Sequence, residues 1–201
     1  MKKLSLLALL VLALPLSAMA SSVDISSQGG NLWLSSGGIS TSSSSGFTSP
    51  SKVGLVSGLG GKNFAGSNLG RLTFSTGALT GSSLTGATFA GGGSFTISLN
   101  GSVAGLPTTT VFQGSFSTPV TMTNYGNGLF ALQGGLVGMM NGHKVYGVFT
   151  ADGTLRSNGT LKIGSVDVNI ALPVPEPGTL SMLGTGLLGL AGLVRRKWSL
   201  S

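Results

Sequence analysis

The 201-residue chain contains no cysteine. That excludes a disulfide framework, a thiol nucleophile and thiolate metal ligation. Charge is scarce as well. Asp, Glu, Lys and Arg make up 7% of the chain, with four acids and one histidine in total. A metal centre needs several ligands, and a glycosidase needs two facing carboxylates. The middle of the chain offers only Asp24, Asp152, Asp167 and His143 for either purpose. No cofactor and no metal is therefore expected. The formal charge of +7 suggests a nucleic-acid partner at first sight. However, Lys2, Lys3, Arg195, Arg196 and Lys197 supply five of the eleven cations, and Glu176 one of the four acids. Six cations and three acids, net +3, are left between the termini. No basic cluster with interleaved aromatics occurs there, so no nucleic acid is expected as partner. A helix-period apolar pattern is also missing outside the termini.

What the chain does have is small residues, with 35 glycines among many serines and threonines. Such a composition suits a β-rich surface protein or a low-complexity one. The first twenty residues, MKKLSLLALLVLALPLSAMA, differ sharply. Lys2 and Lys3 form a positive start, Leu4 to Leu16 a short apolar core, and Ala18-Met19-Ala20 a small-x-small cleavage site. These are the parts of a secretory signal peptide in order, with Ala18 and Ala20 flanking the specificity site and cleavage after Ala20.

The other end reads VPEPGTLSMLGTGLLGLAGLVRRKWSLS. The apolar and small residues from Leu180 to Val194 form a run of 15, about 22 Å as a helix at ~1.5 Å per residue. A hydrocarbon core is ~30 Å thick, so a transmembrane helix over about 179–194 is marginal in length. Arg195, Arg196 and Lys197 act as stop-transfer cations and hold that end on the cytoplasmic side. Pro175 and Pro177 keep the preceding peptide extended.

Val174, Pro175, Glu176 and Pro177, the Gly/Leu-rich apolar run and the Arg-Arg-Lys cluster together resemble the PEP-CTERM sorting signal of Gram-negative bacteria. A tail of this kind is also described as an ice-binding protein C-terminal domain, a label that concerns the tail. The resemblance covers about residues 174–197. It implies that exosortase, an integral membrane cysteine protease-transpeptidase, cleaves near the Pro-Glu-Pro motif. It also implies transient residence in the inner membrane before release to the surface. Proteins of this family commonly occur in species that make exopolysaccharide and biofilm matrix.

Between the termini the pattern is that of strands. Residues 21–70 are Ser/Gly-rich, and loops with one or two weak strands are expected. From residue 71 the period becomes two: Leu72 and Phe74; Phe95, Ile97 and Leu99; Phe112, Phe116, Val120 and Met122. Pro119 suggests an edge or a bulge. Asn141-Gly142, Asp152-Gly153 and Asn158-Gly159 predict tight turns between strands at about 129–139, 143–151, 154–157 and 160–172. Leu161 and Ile163 have one parity, and Val166, Val168 and Ile170 the other. A bulge near Gly164-Ser165 reconciles them. The predicted fold is all-β, a single antiparallel β-sandwich or open barrel over 71–173, preceded by the Ser/Gly-rich region.

The candidate chemistry is thin. His143 follows a turn, where an exposed surface role is expected. Asp152 suits a turn, and Asp167 alternates with Val166 and Val168 toward the polar face. Trp33, Tyr125 and Tyr146 are candidates for a sugar-stacking platform, with Trp33 a half-buried anchor. Thr108-Thr109-Thr110 is one short threonine run. The expected function is a non-enzymatic, exported cell-surface or matrix protein sorted through its tail. The alternatives are a module that binds extracellular polysaccharide or ice, and a secreted hydrolase using Asp152 or Asp167. N-terminal sequencing of the exported protein should begin at Ser21; a start at Met1 would refute the signal peptide.

Overall fold

A computed structural model of the chain describes residues 21–42, 46–156, 160–173 and Gly186. Among them lie thirteen strands: β1 (Ser22–Gln28), β2 (Asn31–Ser35), β3 (Gly38–Ser40), β4 (Ser51–Leu59), β5 (Lys62–Ser75), β6 (Leu79–Ser83), β7 (Gly86–Phe89), β8 (Gly92–Leu99), β9 (Thr110–Phe116), β10 (Val120–Gly126), β11 (Leu129–Met140), β12 (His143–Leu155) and β13 (Leu161–Ala171). Eight of them close a ring of antiparallel pairs, β1–β4–β5–β8–β9–β11–β12–β13 and back to β1. Each stave neighbours the next one in chain order, which is an up-and-down barrel. The β2–β3 hairpin, the β6–β7 hairpin and β10 are insertions between staves. β10 pairs with the first half of β11 and with β7, while β9 takes the second half of β11.

The alternation places apolar side chains inside. Leu72 and Phe74, Phe95 and Ile97, Phe112 and Phe116, Val120, and Val166, Val168 and Ile170 are all buried. An eight-stranded barrel has an interior that side chains can just fill. Here aliphatic side chains surround an aromatic centre. Phe74 (β5), Phe95 (β8), Phe116 (β9) and Phe149 (β12) all touch one another, with ring centroids 5.0 to 5.9 Å apart. Most of these pairs are edge-to-face, the arrangement that sets the positive ring edge against the negative face.

The structure departs from the sequence expectation in three places. First, the barrel is closed; it is neither a sandwich nor open. Closure comes from β13, which pairs β12 on one side and β1 on the other over seven residues from Ser22↔Ala171 to Gln28↔Ser165. Second, β1 and β4 are full staves and β5 begins at Lys62, all inside the segment expected to be loops and weak strands. Their inward positions are few but sufficient: Val23, Ile25, Val53, Val56 and Phe64 are buried. Hydroxyls complete the attachment there. Thr41 Oγ1 accepts from Phe74 N at 3.0 Å and donates to Phe74 O at 3.2 Å, and Thr76 Oγ1 accepts from Ile39 N at 3.0 Å. These bonds fasten the β2–β3 hairpin to β5.

Third, Asp152-Gly153 is no turn. It lies within β12, which runs unbroken from His143 to Leu155 where two strands were expected. A Cβ on Gly153 would stand 2.1 Å from the Lys162 carbonyl oxygen and 2.8 Å from the Phe130 ring, so this glycine serves close packing. The expected bulge does occur. Asp152 pairs with Ser165 and Gly153 with Ile163, leaving Gly164 as the extra residue of β13. Asn141-Gly142 is the expected turn, with φ of 52° and 79°, the left-handed pair that a two-residue hairpin requires. Asn158-Gly159 lies outside the described residues. Pro119 is exposed between β9 and β10, where the chain leaves one strand for the next.

Phe95 touches Phe74, Phe112, Phe116 and Phe149. Phe95→Ala should cost about 3–5 kcal/mol of stability through lost contacts and the cavity left behind. Urea unfolding of residues 21–173 measures it. A loss below about 1 kcal/mol would mean that the barrel does not rest on this cluster.

Candidate functional site

The residues expected to carry sorting, Val174, Pro175, Glu176, Pro177, Arg195, Arg196 and Lys197, lie outside the described residues, as do Ala18 and Ala20. The helix expected at 179–194 does so too, Gly186 excepted. Among the described residues no helix is long and apolar enough to cross a membrane. What the structure adds is the end of the barrel: β13 finishes at Ala171, three positions before Val174.

The barrel's three carboxylates come together on its outer surface. Asp24, Asp167 and Asp152 lie on the adjacent staves β1, β13 and β12. Cross-strand register sets them on successive rows. Asp24 stands opposite Asn169, which faces Val148; Ser26 stands opposite Asp167, which faces Thr150; Gln28 stands opposite Ser165, which faces Asp152. The three acids therefore run diagonally across three strands. Period-two alternation turns them outward, because Ile25, Val166, Val168 and Ile170 occupy the inward positions beside them.

Each carboxylate is held by a cross-strand neighbour. Asn169 Nδ2 donates to Asp24 Oδ1. Ser26 Oγ donates to Asp167 Oδ1 at 2.5 Å. Ser165 donates twice to Asp152 Oδ1, from its backbone N at 2.7 Å and from Oγ at 2.5 Å. Asp152 thus bridges the bulge at Gly164. Its conformational reason is the bulge, where sequence had suggested a turn. Between β12, β13 and β1 the surface dips into an open depression of about 190 Å³, lined by Asp24, Ser26, Thr150, Asp167, Asn169 and by the flank of Val148.

The aromatic candidates do not form one platform. Trp33 is half-buried on β2, Tyr125 is exposed on β10 and Tyr146 is exposed on β12, three strands that do not pair with one another. Tyr146 alone stands on the outer face that carries the acids, one row from Val148, with Lys144 Nζ 5.5 Å from its ring centre. His143 is exposed at the start of β12. In the Thr108-Thr109-Thr110 run only Thr110 joins a strand, where its hydroxyl meets Ser98 Oγ at 3.0 Å. Among the described residues no group of three or more His, Cys, Asp or Glu side chains is arranged to hold a metal ion. The role of Asn169 and Ser26 was not legible in the sequence, because both act on acids about 140 positions away along the chain.

Among the described residues the fold is an all-β barrel whose last strand ends at Ala171. Residues 173–197 match the family model described as the PEP-CTERM protein-sorting motif, so the chain carries that motif. No curated protein and no solved structure matches the chain. The motif implies export and processing by exosortase.

Removing the Asp152 carboxylate should loosen the bulge. Asp152→Ala should destabilise the barrel by about 1–2 kcal/mol, since it removes two charge-assisted hydrogen bonds at an exposed site. Ser165 amide exchange should quicken in the same variant. Unchanged stability and exchange would show that the bulge holds without it.

Proposed function

We propose that the chain is a non-enzymatic, cell-surface or extracellular-matrix protein. In this reading its barrel is delivered by the signal peptide, held in the inner membrane by the C-terminal run, and released by exosortase at the Pro-Glu-Pro motif. The observation that carries the reading is the motif match at residues 173–197, beginning two positions after the last stave ends at Ala171. Two further features support it. The barrel interior is packed with phenylalanines and aliphatic side chains, which leaves that space to packing. The three acids are each engaged in a cross-strand hydrogen bond, which gives each a structural task.

The processing step follows from physical chemistry. A run of marginal length can dwell in the bilayer without anchoring permanently. Moving three cations through hydrocarbon is costly, so Arg195, Arg196 and Lys197 keep the end inside. Pro175 and Pro177 hold Glu176 in extended backbone that a protease can read.

In an exosortase-containing host, replacing Pro175-Glu176-Pro177 by alanines should leave a full-length, membrane-bound precursor. Neutralising the three cations should let the tail slip through or misinsert. Immunoblots of membrane and released fractions read both outcomes. An alanine variant processed and released like wild type would make the tail an ordinary weak anchor.

A further inference from the structure

We propose that the outer face of β12, β13 and β1 binds a neutral hexopyranose polysaccharide, with the depression between Asp24, Ser26, Thr150, Asp167 and Asn169 as one sugar subsite and the Tyr146 ring as the next. The inference rests on the reading that the barrel is exported, since an extracellular glycan is its ligand.

The depression spans three strands, roughly 10 Å at ~4.8 Å per strand, wide enough to seat a six-membered ring. Most of its exposed lining is apolar, and the polar groups at its edge are mainly acceptors. Asn169 and Ser26 each occupy an Oδ1 atom, of Asp24 and of Asp167. The Oδ2 atoms and the Asn169 amide oxygen remain as acceptors, and the Thr150 hydroxyl can donate or accept. A ligand that satisfies this set must bring several donors at short spacing, as the vicinal hydroxyls of a sugar do. Val148, half exposed at 50%, offers an apolar flank for ring carbons.

The strands preorganise these groups. Their spacing is set by the ladder, and the side-chain bonds between Asn169 and Asp24 and between Ser26 and Asp167 fix the rotamers. Little ordering entropy is then lost on binding. Tyr146 stands two residues from Val148 along β12, about 7 Å away, on the order of one sugar repeat. At 58% exposure its ring face is open to the C–H face of a pyranose. Lys144 Nζ, 5.5 Å from the ring centre, adds a donor beside it.

Charge selects among glycans. The depression is lined by two carboxylates and no cation. A uronate polymer would meet like charge there, whereas a neutral hexose chain would not.

Affinity electrophoresis of the full-length chain in mild detergent tests this, with dextran, laminarin and galactomannan as neutral polymers and alginate, with and without calcium, as the anionic one. At least one neutral polymer should retard the wild type. Tyr146→Ala and Asp167→Asn should each weaken the apparent association constant about tenfold or more, the scale of one lost stacking contact or charged hydrogen bond. Tyr125→Ala, outside the face, should behave as wild type, and alginate should not retard the protein. Thermal unfolding checks that each variant is folded, and Asp24→Asn replaces Asp167→Asn if that variant is not. The proposal is overturned if no neutral polymer retards the protein, if the variants bind like wild type, or if alginate with calcium is the polymer bound. Each of these results leaves the sorting assignment standing, because no exosortase takes part in the assay.

Discussion

Four phenyl rings in mutual contact at the centre of the barrel hold the rest of the structure in place. Phe74, Phe95 and Phe116 come from three successive staves, β5, β8 and β9, and Phe149 from β12. A sheet with so many small residues has little apolar bulk per strand. Large rings from a few positions fill the centre, while Val, Ile and Leu side chains of the other staves pack around them. The close approach of strands past Gly153, where a Cβ would collide with Lys162 and Phe130, is the complement of the same economy.

With the interior occupied, chemistry is confined to the outer wall and to the chain ends. The outer wall is not uniform. All three of the barrel's acids lie on β1, β13 and β12, and from Leu72 to His143 the chain has no Asp, Glu, Lys or Arg at all. One side of the barrel is therefore polar and charged, while staves β8, β9 and β11 present uncharged side chains. The closing strand β13 joins the barrel to the sorting motif. It completes the barrel, carries Asp167 and Asn169 outward, and leads at once into the sorting motif.

The segments with the clearest alternation were legible in the sequence. Phe95-Thr-Ile-Ser-Leu99 is β8 with its apolar residues inside, and the parity change between Ile163 and Val166 marks a bulge that the register confirms. Asn141-Gly142 is a turn because both residues tolerate positive φ. Asp152-Gly153 carries a similar local signal and does not turn. The difference lies in what surrounds it, a neighbouring strand and a phenylalanine that leave no room for a side chain at Gly153. Residues 21–70 were illegible for a different reason. Their strands have few apolar positions and depend on β13, on β5 and on hydroxyl bonds such as Thr41 to Phe74.

By itself the sequence determined the β class, the parity of most strands and the sorting motif. Each of these is written in contiguous residues, as a two-residue period, an apolar run, a charge cluster or a Pro-Glu-Pro peptide. Only the tertiary structure decided that the sheet closes, that β1 and β4 are staves, and that Asp24, Asp152 and Asp167 share one face. Those outcomes depend on pairings between positions as far apart as Ser22 and Ala171. Backbone hydrogen bonds carry no residue identity, so which strand meets which is settled by the shape of the packed interior.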